Sequence, residues 1–145
     1  MKWLRVLLAA IAYTILAQIF HSVSTFLTME YYLDPKFFTV WSKTMMPTAG
    51  PPPMEFLYLT IVFSFITGLL FSIVYSFIAT CIPGKGATSK GVNYGLILFL
   101  ISGIPFFLTN YLLINLPLML PVYWLVIDGL LLYLAGGVAI ANINK

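Results

Sequence analysis

Long apolar runs alternate with short polar interruptions along this chain, and four runs stand out: Leu4–Met29, Phe56–Ile82, Val92–Leu112 and Val122–Ile143. Each reaches the roughly 20 residues that a helix rising ~1.5 Å per residue needs to cross a ~30 Å hydrocarbon core. The first two exceed that length, which implies tilt or protrusion. No run alternates polar with apolar positions as a barrel strand does, and four runs are too few to close a barrel. The pattern predicts an all-α fold, an integral membrane four-helix bundle occupying residues 1–145 as one domain. The outer loop, 30–55, is the only sizeable piece outside the spans.

Polar and small residues inside the runs are spaced, not scattered. Thr14, Gln18, His21, Thr25 and Thr28 follow a 4-3-4-3 spacing that puts them on one stripe of the first helix. Ser64, Gly68, Ser72 and Ser76 recur every fourth residue in the second run, and Gly91 and Gly95 open the third. Gly136 lies in "AGGVAIA" of the fourth. Such small residues let membrane helices approach closely, so these positions are expected to be packing faces. Pro105, in "SGIPFF", removes a backbone donor opposite the carbonyl of Ile101 and predicts a kink.

In the outer loop "DPKFFTVWSK" carries a helix-start signal, Asp34 as N-cap and Pro35 at the first position. Phe37, Phe38 and Trp41 follow at helical spacing, which predicts a short helix lying at the membrane interface. The next stretch, "MMPTAGPPPM", is expected to be an extended connector. Its methionines, Met45, Met46 and Met54, are soft enough to ligate Cu(I), but apolar residues at an interface serve equally.

Composition agrees with the pattern. The 145 residues are 61% hydrophobic and only 8% charged, against about 25% charged in soluble domains. The start, "MKWLRVLLAAIAYTILA", resembles a secretory leader, yet its apolar stretch continues to about Met29 and is expected to be a span. A net charge of +3 is too small and dispersed for nucleic acid. Lys2, Arg5, Lys85, Lys90 and Lys145 all fall on one side of a four-span arrangement, whereas Glu30, Asp34 and Glu55 oppose Lys36 and Lys43 on the other. The positive-inside rule therefore predicts cytoplasmic termini. The loop "PGKGATSKG" lacks P-loop spacing, and Cys81, the single cysteine, excludes an internal disulfide or a CxxC site.

One carboxylate, Asp128, and one histidine, His21, lie inside apolar runs. His21 precedes the outer end of the first helix and Asp128 follows the outer start of the fourth, so both lie about 10–12 Å below the boundary at ~1.5 Å per residue. Pro105 and Ser64 fall in the same layer. A lone ionisable group at mid-span costs about 2.5–3.5 kcal/mol on insertion scales, so Asp128 is expected to face inward and meet His21, with Gln18, Ser22 and Ser64 assisting. This buried polar layer of Gln18, His21, Ser64 and Asp128 has several uses. It can fix helix register, hold a proton or cation, or offer His21 to a metal, haem or pigment cofactor. No Ser-His-Asp or HExxH arrangement and no metal-ligand spacing is present, so no catalytic residue is named.

Three segments, "KGVNYG" opening the third helix, "IPFFLTNY" near its outer end and "WLVIDGLL" to "AGGVAIA" in the fourth, resemble a loose group of small four-span membrane proteins of bacteria and archaea. The resemblance covers about fifty residues and implies the architecture without an activity. Minimal loops, several small-residue faces and the absence of a catalytic set together predict a non-enzymatic accessory subunit of a larger membrane complex. Its partners are then lipid and either other membrane subunits or further copies of itself. The alternative is a small transporter or channel built on Gln18, His21 and Asp128. A carrier of a cofactor on His21 is the third reading.

Overall fold

A computed structural model describes residues 2–48 and 50–145. Met1 and Ala49, the latter in the connector expected to be extended, lie outside them. Four helices are long and apolar enough to cross a membrane: Trp3–Leu27, Met54–Ile78, Ala87–Leu113 and Met119–Ile143, the first to fourth spans. No strand occurs among the described residues, and the protein is an all-α, multi-pass membrane bundle. The third span starts at Ala87, well before the apolar run at Val92, because "ATSK" continues the helix from Gly86 into the polar zone. Hydropathy marks the lipid-facing length of a helix, and the helix itself runs further.

Neighbouring spans pack in the order second, first, fourth, third. The four helices meet most closely in the half of the bundle that carries both chain termini, here the terminal half. Val6, Ala9, Ala10, Tyr13 and Ala17 of the first span are buried there, with Tyr75 of the second, Tyr94 and Leu98 of the third, and Leu132, Ile140 and Ala141 of the fourth. The third and fourth spans touch backbone to backbone. A Cβ at Gly91 would stand 2.5 Å from Val138 Cα, one at Gly95 would strike the carbonyl of Tyr133, and one at Gly137 would strike that of Gly91. Gly137 belongs to this seam although the small-residue spacing singled out Gly136. Gly136 instead accommodates Tyr13, whose ring is wedged between it and Gly68 of the second span. Ser72 is fully buried and accepts a hydrogen bond from the Asn144 amide at 3.0 Å, while Ser76 turns back to the Ser72 carbonyl. Lys90 donates to the Ala79 carbonyl at 2.8 Å, capping the second span with the charge its C-terminus favours.

The opposite, loop half is looser. No residue of the outer part of the third span, Ile104–Leu113, is buried. In the outer loop a short helix occupies Met29–Leu33 and a single 3-10 turn Pro35–Phe37. Asp34 caps that turn by accepting from the Lys36 N–H at 3.0 Å. The turn ends at Phe37, so Trp41 does not share a helix face with Phe37 and Phe38. It folds back onto Tyr32, ring centroids 4.8 Å apart, and onto Trp124, 6.4 Å away. Burial of aromatic area outcompetes the extra helical hydrogen bonds.

Two stretches wind as π-helix: Phe99–Gly103 in the third span and Trp124–Leu131 in the fourth. The first ends just before Pro105, where a wider turn accommodates the missing backbone donor. The two stretches face each other. The ring of Phe99 lies 2.8 Å from where a Cβ on Gly103 would stand and 3.4 Å from one on Gly129, so both glycines make room for it.

Candidate functional site

The first span does not turn its whole polar stripe inward. Its buried positions are Val6, Ala9, Ala10, Tyr13, Ala17 and Ser24, with Thr28 buried just past its end, while Thr14, Gln18 and His21 sit half-buried on the flank and Thr25 is exposed. The reason is mechanical: the first span is held between the second and the fourth, and its small residues give the closest approach to both. Thr14 and Thr28 satisfy themselves by donating to the carbonyls of Ala10 and Ser24.

From the flank, Gln18 and His21 reach different neighbours. Gln18 donates to the Ser64 hydroxyl of the second span at 3.1 Å and receives a longer bond, 3.4 Å, from Thr60. His21 Nδ1 lies 2.6 Å from Asp128 Oδ1 of the fourth span. The polar layer is therefore two pairs, not one network. Ser64 is engaged by Gln18 and Ser22 is exposed, so the help expected from them for Asp128 is not given. No hydrogen bond from the described residues reaches the second carboxylate oxygen, Oδ2. The His21 side chain is 43% exposed and that of Asp128 18%.

Asp128 lies inside the π stretch of the fourth span, one residue before Gly129. Sequence spacing did not register this winding, since no residue type marks a π turn. π turns inside α-helices occur frequently at functional sites.

Two clefts meet at the pair. The larger, about 410 Å³, lies between the third and fourth spans under Asn110, Pro121 and Trp124, with Phe106 and Phe107 on its wall. The smaller, about 280 Å³, runs along the first and second spans from His21 to Tyr13, past Ser64 and Thr67. His21, Asp128 and Tyr133 border both. The smaller cleft reaches Tyr13 on the terminal side and Thr60 on the loop side, and the larger runs on the fourth span from Pro121 down to Tyr133. Below them Tyr13, Phe71 and Tyr133 close the bundle, Phe71 meeting each tyrosine edge-on at 5.5 Å. Tyr133 also shares a hydrogen bond with Ser102 at 3.2 Å. Above, the Trp124 indole donates to the Tyr32 hydroxyl at 3.2 Å. Burial holds that phenol above its usual range, against the opposing effect of the Trp124 bond.

Chemically, a carboxylate against an imidazole can hold a proton, and the free oxygen can receive a cation. With Nδ1 engaged, His21 keeps only Nε2 for a metal or pigment. No three His, Cys, Asp or Glu side chains converge among the described residues. Cys81 is exposed at the end of the second span, remote in sequence and depth from the pair.

Comparison with protein-family models, curated proteins and solved structures returned no match.

Proposed function

We propose that this protein is a small membrane transporter whose substrate site is centred on His21 and Asp128. The observation that carries the reading is the position of the pair in the wall of two clefts that meet at it, one between the third and fourth spans and one along the first and second. Ionisable groups within a membrane are retained at a cost, and they commonly mark a path for protons, ions or substrate. A hydrogen bond serving only to align two helices needs no cavities beside it, and empty space forfeits packing contacts. The tight terminal half and looser loop half correspond to a carrier open on the loop side. The π stretches beside the pair supply places where helices can rewind. We further propose cytoplasmic termini, because Lys2, Arg5, Lys85, Lys90 and Lys145 gather on that side.

Sided thiol labelling tests the reading. In a Cys81→Ser background, Ala17→Cys places a thiol at a buried position below the pair. A carrier that exposes its site alternately will let a membrane-impermeant maleimide reach that thiol slowly from the terminal side. Complete protection from both sides in lipid vesicles sinks the transport reading.

An accessory subunit, bound to other membrane proteins or to its own copies, is the second reading. It is favoured by the outer third span, where no residue of Ile104–Leu113 is fully buried. The small-residue faces lend it less, because Gly91, Gly95, Gly136 and Gly137 are filled by contacts within the chain. Mild extraction from the native membrane distinguishes the two: a defined set of co-migrating subunits supports the accessory role, and a lone small particle removes it.

A further inference from the structure

We infer that the larger cleft takes a monovalent organic cation with an apolar body, and that this cation exchanges for a proton on the His21–Asp128 pair; the inference rests on the transport reading above and names its substrate class. The cleft's chemistry selects for charge sign. Its lining holds no lysine or arginine, and His21, the one basic side chain there, is already engaged by Asp128, so an anion would find no free counter-charge. Asp128 Oδ2, free of hydrogen bonds from the described residues, is the natural contact for an ammonium or phosphonium group. Around it stand the rings of Phe106, Phe107, Trp124 and Tyr133, whose faces attract cations and whose area suits an apolar body. Strongly hydrated metal cations demand several oxygen ligands and gain little from such walls. About 410 Å³ falls within the range of pockets for small organic ligands. Phe106 is 62% exposed at the outer third span, so an amphipathic cation can enter between the third and fourth spans from the lipid side.

Exchange follows from charge balance. An unaccompanied carboxylate within a membrane is costly, so one positive charge accompanies Asp128 in each stable state. In the empty site that charge is the proton shared with His21. When the organic cation arrives, the proton leaves the imidazole for water, and neutral His21 keeps its Nδ1–H donated to the carboxylate. No bond other than N–H is broken and the net charge of the site is unchanged. Among the described residues, the remaining titratable groups that face the pair are Tyr13 of the first span, Tyr133 of the fourth and Tyr32 of the outer short helix. Phenols are uncharged near neutral pH. The second and third spans offer only Ser64, Thr60, Thr67, Ser102 and Asn110.

Calorimetry on the purified full chain in detergent tests this, with tetraphenylphosphonium as the probe and tetraphenylborate as its control of like shape and opposite charge. Expected is one saturable phosphonium site whose Kd falls about tenfold per unit rise of pH on the acid side, as one linked proton requires. Titrations in buffers of different ionisation enthalpy should report release of about one proton per cation bound. Asp128→Asn should weaken binding about ten- to hundredfold, and Trp124→Ala about two- to thirtyfold. If Asp128→Asn proves misfolded by circular dichroism and gel filtration, His21→Gln carries the test: it retains the carboxylate and should still bind the cation, the proton now leaving Asp128 itself, so that its pH profile moves away from the parent's and an unmoved profile overturns the inference. Equal binding of the borate, phosphonium binding that ignores pH, or full affinity in folded Asp128→Asn overturns the inference. Absence of phosphonium binding alongside Ala17→Cys labelling overturns the substrate class and leaves transport standing. Binding without any such labelling leaves the site standing and removes transport.

Discussion

The glycine seam between the third and fourth spans allows a quantitative test of how the terminal half is held. Replacing Gly91 by Ala would put a methyl carbon 2.5 Å from Val138 Cα and 2.7 Å from the Gly137 carbonyl oxygen. Unstrained carbon atoms keep about 3.5–4.0 Å apart, so the helices must separate by about 1 Å. Both obstacles are backbone, and no side chain can swing away to absorb the strain. Overpacking of this kind costs about 1–3 kcal/mol, and an unyielding backbone argues for about 2. Gly95→Ala meets the same difficulty one turn later, against the Tyr133 carbonyl and Leu134 Cα. The informative case is the double variant. Once one methyl has pushed the helices apart, the second finds space, so the pair should cost about 3 kcal/mol where additivity gives about 4. Gly86→Ala is the control, because nothing lies within 4 Å of its Cβ position. Equilibrium unfolding in mixed detergent and denaturing micelles, followed by helicity, gives the values. Single variants within 0.5 kcal/mol of the parent, or strict additivity in the double, would refute the seam.

Other expectations are as direct. In a double-mutant cycle of His21→Leu and Asp128→Leu, the coupling should be about 1 kcal/mol: bacteriorhodopsin cycles average about 0.6, a contact as short as 2.6 Å argues for more, and the half-open imidazole for less. Additive singles would show the pair to be energetically idle. Tyr94→Phe removes the 2.6 Å bond from a fully buried phenol to the Phe71 carbonyl and should cost about 1–2 kcal/mol in the same unfolding assay. Trp41→Ala should leave that stability within about 0.5 kcal/mol, as expected of a loosely held loop, while raising acrylamide quenching of Trp124 in a variant lacking Trp3. Unchanged quenching would mean the loop does not cover the fourth span.

The four spans were legible because lipid demands an unbroken apolar length and little else. Their small faces were legible for a similar reason: a residue at spacing four on a helix must face one neighbour. Which neighbour was not. Gly68 and Gly136 sit on different helices and serve one tyrosine, and nothing in their own segments names Tyr13. Counting residues down from the loop end placed His21 and Asp128 at one depth, but it could not say that Gln18 would turn to the second span instead of joining them. The first span's buried stripe runs through Tyr13, Ala17 and Ser24, because contact with two helices outweighs the pull of the polar positions. The outer helix shrank to Pro35–Phe37 for a comparable reason, since Trp41 found aromatic partners on another element. π winding was illegible in principle, for it arises from how two helices accommodate Phe99, Pro105 and Asp128 together.

The π stretch of the fourth span also constrains the length of that helix. A wide turn absorbs chain that an α-helix would spend on further rotation, so Trp124–Leu131 sets the azimuth of everything above it relative to the seam below. Each α residue turns the helix by about 100°. Deleting one residue there, even an aliphatic one such as Val126, would relax the turn to α and swing Trp124 and Pro121 around the axis while Gly136 and Gly137 stayed put. The span would remain as apolar and nearly as long, yet its loop-side face would point at different neighbours. Substitutions at Val126 should therefore be borne far more easily than its removal, and a helix that hydropathy treats as a plain lipid anchor behaves as a keyed part with a fixed number of teeth.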